Sequence, residues 1–369
     1  KPTSITRDLE WGIPVPLEGW EGKCLYVWFE AVIGYLSSTV EWGHLYDQPD
    51  VWREWWTNQN ARSFYFIGKD NITFHAVTWP AELLGMGADF DHHMGSDAPQ
   101  ALVLPYDVPA NEFMNLEGRK ISGSHNWGVW MLDALQRHDP DPLRYYLTVT
   151  MPETRDSDWS WHGYVERNNN ELVANWGNLV NRVLNMMNRY FGGVVPEPAA
   201  LGEKDRALLA AIDAGFDEIG ALYDAARFRA AAQETMALAT KVNQYLEETS
   251  PWKTANEDRE ATACSLYTAL QAINGLKVLF APILPFTSER LHQMLGLEGQ
   301  LFGHQLVREF SEDGRKHRAL VYDASAAKGE WLRSEIRPGC KLPKPSPLFR
   351  KLEESVAEEE LARLVRPVA

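Results

Sequence analysis

The sequence contains few cysteines, and they form no pattern. Its three cysteines, Cys24, Cys264 and Cys340, lie far apart and are odd in number. This spacing excludes a disulfide framework and a zinc site of the Cys-x-x-Cys type, and it is typical of a protein of the reducing cytoplasm. His92 and His93 have no third ligand at a suitable spacing, so we expect no metal site and no zinc in this chain.

The sequence also lacks a long apolar segment and an excess of basic residues. No apolar run reaches the roughly eighteen residues that a membrane span needs, and no signal peptide is recognisable, so we expect no membrane association. The 51 acidic residues outnumber the 36 basic ones, which gives a formal net charge of −15. Such a chain is a poor general binder of nucleic acid, so any binding of this kind must depend on locally placed side chains.

The remaining composition is that of a globular protein. The 369 residues are 45% hydrophobic and 24% charged, enough for about two domains with a buried core. The chain begins Lys1-Pro2 and is densely patterned by Trp11. We interpret it as the latter part of something longer, and a processed or arbitrary terminus is the alternative.

Strand-like and helix-like segments alternate over the first 160 residues. Three short apolar runs predict strands, at residues 24–29, 64–67 and 101–104. A helix is predicted over residues 71–84, with Asp70 as its N-cap. This alternation indicates an open α/β sheet, whose ligands bind beyond the carboxyl ends of strands. Gly68 lies at such an end.

From about residue 163 to residue 298 the periodicity is helical. Apolar residues recur at helical spacing in two segments, one with Leu172, Trp176, Leu179, Val180 and Val183 and one with Leu266, Leu270, Ile273, Leu276, Leu279 and Phe280. Ser250 and Pro251 end one predicted helix, and Pro282 and Pro285 break another. The pattern predicts a bundle of four or five antiparallel helices.

The last seventy residues have a mixed composition. Residues 341–345 are proline-rich and predict an extended connector. A final amphipathic helix is predicted over residues 347–364, with Ser346 as N-cap and Pro347 in its first turn. We therefore place three domains, at residues 1–160, 161–300 and 301–369.

Two groups of side chains in the first part could line a pocket. Asn71, His75 and Trp79 are spaced i, i+4 and i+8, so they share one face of the predicted helix beside a strand end. An amide, an imidazole and an indole in a row suit a small ligand, although His75 as a hydrogen-bonded core histidine and Trp79 as packing are the alternative. A second wall, or plain core, is predicted at the entry of an earlier helix by Trp28, Ala31 and Tyr35.

Residues 117–124 form a polar, glycine-punctuated and basic segment. Its backbone N–H groups, the hydroxyls of Ser122 and Ser124 and the charge of Lys120 could surround phosphate oxygens. An ordinary surface loop is the alternative.

A third group lies on the predicted bundle. Asn178 and Arg182 are i, i+4 neighbours, and Trp252 follows the helix end at Ser250. An amide, a guanidinium and an exposed indole can bind single-stranded bases by stacking and by hydrogen bonds to base edges. The alternative is a solvated helix face with a capping tryptophan.

Taken in order, these segments resemble the methionyl-tRNA synthetase family of class I aminoacyl-tRNA synthetases. The resemblance rests on six segments, at residues 5–16, 26–35, 66–80, 120–124, 152–158 and 167–172. It implies a Rossmann-like second half of a catalytic domain, followed by an all-α anticodon-binding bundle. It also implies attachment of methionine to tRNA(Met) through methionyl-adenylate, with ATP and Mg²⁺.

The resemblance assigns roles to the candidate residues. Those that enclose methionine are Trp28, Ala31, Tyr35, Asn71, His75 and Trp79. Those that bind ATP are Gly68, Asp70, Asn71, Met114 and Lys120. The catalytic residues of the KMSKS-like loop are Lys120, Ser122 and Ser124. Those that read the anticodon are Asn178, Arg182 and Trp252.

The sequence departs from the family in several places. The His-Ile-Gly-His-type motif of the first catalytic half and the zinc-bearing insertion are not in this sequence, Gly123 replaces the second lysine of KMSKS, and Val32 replaces a common proline. We therefore expect the chain alone to be nearly inactive and to work with an N-terminal catalytic half. A non-catalytic, tRNA-binding module is the alternative, and an unrelated α/β nucleotide binder with a structural bundle is a third.

Overall fold

The computed structural model describes residues 4–312 and 314–364. The chain forms two compact units that divide between Phe113 and Met114. Within the described residues, no helix is long and apolar enough to cross a membrane. The three predicted domains, at residues 1–160, 161–300 and 301–369, remain a proposal, because this division into compact units does not test them.

The first unit is built from short elements. Its strands and helices, in chain order, are β1 (Thr6–Asp8), β2 (Lys23–Leu25), α1 (Val27–Glu30), α2 (Gly34–Leu45), α3 (Arg53–Trp56), β3 (Ile67–Gly68), α4 (Trp79–Met86), α5 (Asp89–His93) and β4 (Ala110–Asn111). Strands β1 and β2 pair antiparallel, and β3 pairs parallel with β4, with Ile67 opposite Ala110. The parallel pair is the α/β feature that the alternation predicts.

None of the three strand predictions in this unit is fully confirmed, and the one at residues 64–67 holds only for Ile67, the first residue of β3. Residues 24–29 form a strand only as far as Leu25, because the chain turns into α1 and the Phe29 N–H bonds to the Tyr26 carbonyl at 2.8 Å. A short run of apolar and aromatic residues fits either structure, and periodicity cannot separate them. Residues 101–104 form no strand at all. Leu102 and Val103 are buried, and this burial accounts for the apolar run although no strand forms.

The helix predicted over residues 71–84 is present but irregular. It begins with a 3-10 turn at Lys69–Asn71, continues as a π-helical segment at Phe74–Thr78 and ends as α4 at Met86. Asp70 is not the N-cap, since it lies inside the 3-10 turn and the flanking Gly68 has no side chain to cap it. Pro80 lacks an N–H for the helical ladder, and such a gap is compatible with a wider π turn.

The second unit begins with a small sheet and continues as helices. Its elements, in chain order, are β5 (Met114–Leu116), β6 (Arg119–Lys120), α6 (Met131–Ala134), α7 (Pro140–Val149), β7 (Ser157–Trp159), α8 (Trp161–Arg167), the π-helical segment Asn168–Gly177, α9 (Asn178–Phe191), α10 (Glu203–Asp224), α11 (Phe228–Thr249), α12 (Pro251–Thr254), α13 (Arg259–Phe280), α14 (Pro285–Met294), β8 (His304–Glu312), β9 (Arg315–Asp323) and α15 (Ser355–Leu364). Strand β5 pairs antiparallel with β6 and parallel with β7.

The helical bundle confirms the periodicity argument. The apolar residues predicted to face its interior are all buried, namely Leu172, Trp176, Leu179, Val180, Val183, Leu266, Leu270, Ile273, Leu276, Leu279 and Phe280. Helices α10, α11 and α13 pack on one another. Ser250, with a φ of 42°, ends α11 before Pro251 begins α12, and Pro285 begins α14. The predicted breaks are therefore confirmed.

The C-terminal region differs from the prediction in two ways. Strands β8 and β9 form a long antiparallel hairpin that we did not predict, although the Asp313-Gly314 pair between them is a turn signal. Of these two residues, Asp313 lies outside the described residues, and Gly314 has a φ of 78°. The pairing of β8 with β9 is entirely local along the chain.

The final helix is shorter than predicted, because α15 begins only at Ser355. Residues 347–354 are irregular, and their backbone bonds to side chains of the bundle. Arg290 donates to the Leu348 carbonyl at 2.7 Å, and Asn169 donates to the Leu352 carbonyl at 2.7 Å. Ser346 is not an N-cap, and its hydroxyl instead lies 3.3 Å from the Met294 sulfur.

Candidate functional site

A hydrogen-bonded tyrosine and histidine lie at the centre of the candidate site in the first unit. Tyr35 of α2 and His75 of the π-helical segment are joined by a 2.8 Å contact between the phenol oxygen and Nε2. His75 Nδ1 lies 3.0 Å from the Asn71 carbonyl, which can only accept, so Nδ1 carries the proton in the neutral ring. Nε2 then accepts from Tyr35, and both ring nitrogens are satisfied.

His75 is buried, whereas Tyr35 is half exposed. Burial raises the pKa of the Tyr35 phenol above its ordinary value, and the neighbouring Tyr65 adds to this. The Tyr35 and Tyr65 rings meet edge to face with centroids 5.0 Å apart. The phenol of Tyr35 therefore stays protonated at neutral pH and can serve as a fixed donor to His75.

The aromatic residues predicted for this pocket divide into an exposed and a buried set. Trp28 is exposed and stacks on Phe74, with centroids 5.5 Å apart, and Ala31 and Tyr35 are exposed nearby in sequence. Trp79 is fully buried, and its indole N–H donates to the Tyr65 hydroxyl at 3.0 Å. Trp79 thus has the packing environment that we stated as the alternative, and it supports the site from within the core.

The carboxyl end of β3 carries the second predicted element. Gly68 has an ordinary φ of −82°, and a Cβ built there would meet no atom within 4 Å. The protein itself therefore does not require glycine at this position, which is compatible with the close approach of a ligand. Asp70 is exposed, and Lys69 contacts the carboxylate of Glu112 and lies 4.1 Å over the Phe113 ring.

In the second unit, residues 120–127 form a closed loop, which we call the lysine–serine loop. Ser122 and Trp127 exchange two backbone hydrogen bonds of 2.8 Å across its base. Lys120 is exposed at the end of β6. The Ser122 and Ser124 hydroxyls lie 3.2 Å apart, and His125 Nδ1 is 2.9 and 3.3 Å from them. Two hydroxyls and one imidazole thus meet in a solvent-exposed turn, and Lys120 precedes them in the chain.

Trp127 anchors this loop, and Gly123 leaves free space in it. The Trp127 indole donates to the Leu116 carbonyl of β5 at 3.0 Å, and Arg119 lies 4.1 Å over its ring. A Cβ at Gly123 would meet no atom within 4 Å, so the loop has space for a side chain there. Met114 of β5 lines an apolar cavity of about 180 Å³ together with Ile121 of the loop.

A third site lies on the bundle, where α9 meets α11 and α12. Arg182 lies with its guanidinium carbon 5.2 Å from the centre of the Trp252 ring and donates to Glu247 at 2.7 Å. Asn178, one helical turn earlier, is exposed. Because Arg182 and Glu247 are both substantially exposed, their ion pair contributes little and can be exchanged for another anion.

The described residues contain no group of three or more His, Cys, Asp or Glu side chains that could hold a metal ion.

Two family models match the chain. The model of class I (M) tRNA synthetases matches residues 1–184, and the model of the anticodon-binding domain of methionyl tRNA ligase matches residues 195–312. The chain carries a catalytic portion and an anticodon-binding domain of the methionyl-tRNA synthetase family. The fold class and the family resemblance that the sequence predicts are thereby confirmed.

Similar proteins agree with this assignment. The methionine–tRNA ligase of Thermomicrobium roseum is 54% identical over 99% of this chain, and that of Roseiflexus castenholzii is 49% identical over 98%. The methionyl-tRNA synthetase of Mycobacterium tuberculosis in complex with methionyl-adenylate has a TM-score of 0.71 at 26% identity, over 94% of this chain. Its apo form, with a TM-score of 0.70 at 23% identity over 95% of this chain, shows the same fold.

This chain spans only part of the synthetases that it matches. It covers 61% and 60% of the two ligases, and 60% of each of the two solved synthetase chains. The activity, substrates and partners of a whole methionyl-tRNA synthetase are therefore a matter of proposal for this chain.

The sequence analysis did not identify some polar residues that contact or adjoin the predicted site residues. His125 directly follows Ser124, so a titratable ring inside the same polar segment was a usable signal. Lys69 directly follows Gly68 at the strand end, and its contact with Glu112 depends on the β3–β4 pairing. Glu247 lies 65 positions from its partner Arg182, and no local pattern indicates that contact.

Proposed function

We propose that this chain takes part in the attachment of methionine to tRNA(Met), a reaction that proceeds through methionyl-adenylate formed from methionine and ATP. The observation that carries the proposal is that one chain retains all three sets of side chains. These are the Tyr35–His75 pair with its exposed aromatic neighbours, the lysine–serine loop, and the Arg182–Trp252 pair. The ligases that the chain resembles at 54% and 49% identity support the same reaction.

The first unit contributes the binding of methionine. Trp28, Ala31 and Tyr35 offer an exposed, mostly aromatic surface, and aromatic rings suit a polarisable thioether. Asn71 and His75 are linked through the Asn71 carbonyl, which fixes the ring against which Tyr35 is held. Trp79 supports this arrangement from the core. Gly68 and Asp70, at the end of β3, are proposed for the adenosine part of ATP, with Asn71 beside them.

The lysine–serine loop contributes stabilisation of charge. In the proposed first step, a methionine carboxylate oxygen bonds to the α-phosphorus of ATP while the bond to the bridging oxygen breaks and pyrophosphate leaves. Negative charge grows on the leaving group, where Lys120 and the Ser122 and Ser124 hydroxyls can stabilise it. Met114, in β5, is proposed to border the nucleotide. Mg²⁺ is proposed as part of the ATP substrate.

The bundle contributes recognition of the tRNA. Trp252 offers a stacking surface, and Arg182 and Asn178 offer donors to base edges or phosphates. Since the whole chain carries a net charge of −15, this local arrangement matters more than any general attraction to RNA. The partners that we propose are therefore methionine, ATP and tRNA(Met), together with an N-terminal catalytic half.

The test is methionine-dependent exchange between ATP and pyrophosphate. It is measured on this chain alone and after addition of a separately supplied N-terminal catalytic half. We expect exchange on mixing, and we expect Lys120→Ala to abolish most of it. Lys241→Ala, an exposed lysine of α11, is the matched control and leaves the rate unchanged.

Two other outcomes have definite meanings. Exchange by the chain alone would mean that its own residues complete the ATP site, and it would contradict the need for a second half. Absence of exchange in both cases, with anticodon-dependent tRNA binding retained, would contradict the ligase and favour a non-catalytic tRNA-binding module. Loss of tRNA binding as well would contradict both.

A further inference from the structure

The last helix of the described chain contacts the segment that follows the lysine–serine loop. Glu360 of α15 is 5% exposed and accepts hydrogen bonds from Arg137 Nε at 2.5 Å and Nη2 at 2.8 Å. The same guanidinium donates to the two carboxylate oxygens of Asp133 at 2.8 and 2.9 Å. Paired hydrogen bonds of this kind fix orientation as well as position. Arg137 is therefore held from two sides.

A second contact strengthens this junction. His138 Nε2 lies 3.2 Å from Glu360 Oε1, and the His138 ring stacks on Trp161 with centroids 5.2 Å apart. Burial alone would raise the pKa of Glu360, but the hydrogen bonds from Arg137 and His138 outweigh it and hold the pKa below its ordinary value. Glu360 is thus an ionised carboxylate in a buried position, and removing it leaves Arg137 held by Asp133 alone.

Arg137 connects in turn to the base of the loop. Asp133 belongs to α6, and the Asp133 and Ala134 N–H groups bond to the Trp130 carbonyl at 3.1 and 2.9 Å. The Trp130 indole donates to the Asn126 side-chain oxygen at 2.9 Å. Asn126 is the left-handed corner of the loop, with a φ of 49°. The indole of Trp130 therefore joins α6 to the residue that closes the loop.

The two ends of this series of contacts, Glu360 and Asn126, border one small cavity. Its volume is about 60 Å³, and its lining includes Asn126 and Trp130 from the loop side and Glu360 from α15. The loop side and α15 thus border the same space, and the hydrogen bonds above are what connect them.

We propose that Glu360 is a positioning residue for the lysine–serine loop, acting through Arg137 and helix α6. It contacts no proposed substrate group, and its role is to hold the loop closed so that Lys120 and the two serines keep a fixed arrangement. For catalysis this inference rests on the function proposed above, but the positioning itself can be measured without any activity.

Hydrogen exchange of the full chain, followed by mass spectrometry, tests the positioning. In Glu360→Ala, the backbone amides of Ser122 and Trp127 should exchange about 2- to 30-fold faster, the range expected for coupling through packed contacts. Glu359→Ala is the matched control, since Glu359 is an exposed neighbour on the same helix. Helices α11 and α13 serve as internal references and should keep the wild-type rates.

Three further variants test the route. Arg137→Lys keeps the charge but cannot hold both carboxylates in a fixed fork, so it should raise loop exchange as Glu360→Ala does. Glu360→Gln keeps a hydrogen-bond acceptor and a similar shape, so it should give a smaller rise. Trp130→Phe removes the indole donor and keeps a smaller aromatic ring, and adding it to Glu360→Ala should produce little further change in the loop.

Two results would overturn the inference. One is loop exchange in Glu360→Ala equal to that in Glu359→Ala, and the other is a rise of the same size in α11 and α13, which would mean general destabilisation. Where exchange of pyrophosphate is active, we also expect Glu360→Gln to lower kcat while leaving the KM for methionine unchanged. If the ligase proposal fails, the hydrogen-exchange result still stands or falls by itself.

Discussion

In the second unit Trp176 packs on Phe280 with 1% of its surface exposed, whereas in the first unit Trp28 packs on Phe74 with 46% of its surface exposed. The contrast extends to the units as wholes. The second unit has one contiguous apolar core, while most of the exposed large hydrophobic side chains among the described residues belong to the first unit. Trp176 thus serves stability, whereas Trp28 is available for binding.

This difference explains which sequence arguments were reliable. Apolar residues that repeat every three or four positions indicate a buried helix face, so Leu172 and Ile273 could be assigned to the core from spacing alone. In α13 the burial extends further, since all residues from Thr262 to Phe280 are buried. In the first unit, exposed and buried aromatic residues alternate without a period. Trp28 and Trp79 could therefore not be distinguished before their environments were known.

The largest effect should come from replacing the buried tryptophan by alanine and comparing it with the same change at the exposed one. Trp176→Ala should lower the free energy of unfolding by about 3–5 kcal/mol, because it leaves a cavity beside Phe280. Trp28→Ala should cost about 1 kcal/mol or less, the value of an aromatic pair at the surface. Chemical denaturation followed by circular dichroism measures both, and equal losses would contradict the comparison.

Next in size is the effect of the loop lysine on chemistry. Lys120→Ala should lower the pyrophosphate exchange rate by about 10²- to 10³-fold, as expected for the loss of one charge-stabilising donor. Because Lys120 is exposed, the unfolding free energy should stay within about 0.5 kcal/mol of wild type. The rate is measured in whichever form of the protein supports exchange, and an unchanged rate would remove Lys120 from the proposed mechanism.

The tryptophan of the bundle, which is partly buried against the core, is tested through its effect on RNA binding. Trp252→Ala should weaken tRNA binding by about 1–3 kcal/mol, the contribution of one stacked base. Trp252→Phe should recover most of this, because it keeps an aromatic face. Filter binding at one fixed salt concentration measures the affinities, with Trp20→Ala, an exposed tryptophan of the first unit, as control. Equal losses for Trp252→Ala and Trp20→Ala would contradict the assignment.

A buried lysine in the core of the second unit should make the free energy of unfolding depend on pH, which an exposed lysine does not. Lys277 of α13 is buried, donates to Asn274 at 2.7 Å and lies 3.2 Å from His292 Nδ1, with Glu289 near enough to act on its charge. Burial lowers the pKa of Lys277 to about 7, against about 10.4 in the unfolded chain. Between these pH values the unfolded state binds more protons, so the stability rises with pH.

We therefore expect the wild-type protein to gain about 1.4 kcal/mol per pH unit between pH 7 and pH 9, relative to Lys277→Met. The measurement is denaturation at a series of pH values, with Lys241→Met as the surface control. Higher pH is avoided, because buried tyrosines then add a pH dependence of their own. Burial raises the pKa of Tyr245 in the folded state, so its phenol loses the proton more readily in the unfolded chain. Parallel slopes for wild type and Lys277→Met would show that the buried ammonium does not titrate as proposed.

The smallest effect is expected at Gly123, where the lysine–serine loop lacks the second lysine of the family's KMSKS motif. Gly123→Lys should leave the stability within about 0.5 kcal/mol, since a side chain there meets open space. It should raise the exchange rate by up to about tenfold, or 1.4 kcal/mol, by adding a positive charge. Gly118→Lys is the control, because its φ of 70° makes a side chain cost about 1–2 kcal/mol. A lower rate in Gly123→Lys would contradict the proposed role of the loop.

The sequence thus predicted the bundle and its proline breaks, because each depends on a local pattern. It did not predict β4, the strand that pairs with Ile67. It also indicated that Arg182 and Trp252 belong together, although only the structure shows the two side chains in contact. The errors arose where tertiary contacts replaced local ones. Residues 347–354 lost their predicted helix because the backbone at Leu348 and Leu352 bonds to side chains of distant helices.

The contact between Arg137 and Glu360 has a consequence for synthesis of the protein. The two residues are separated by 223 positions, so Arg137 is made long before its partner exists. At the usual rates of translation, the delay is roughly 10 to 45 s. The hairpin of β8 and β9 needs no such wait, because its strands are adjacent in the chain. With the role proposed for Glu360, the lysine–serine loop on the ribosome has its own closing hydrogen bonds but lacks this outer support until α15 has been made.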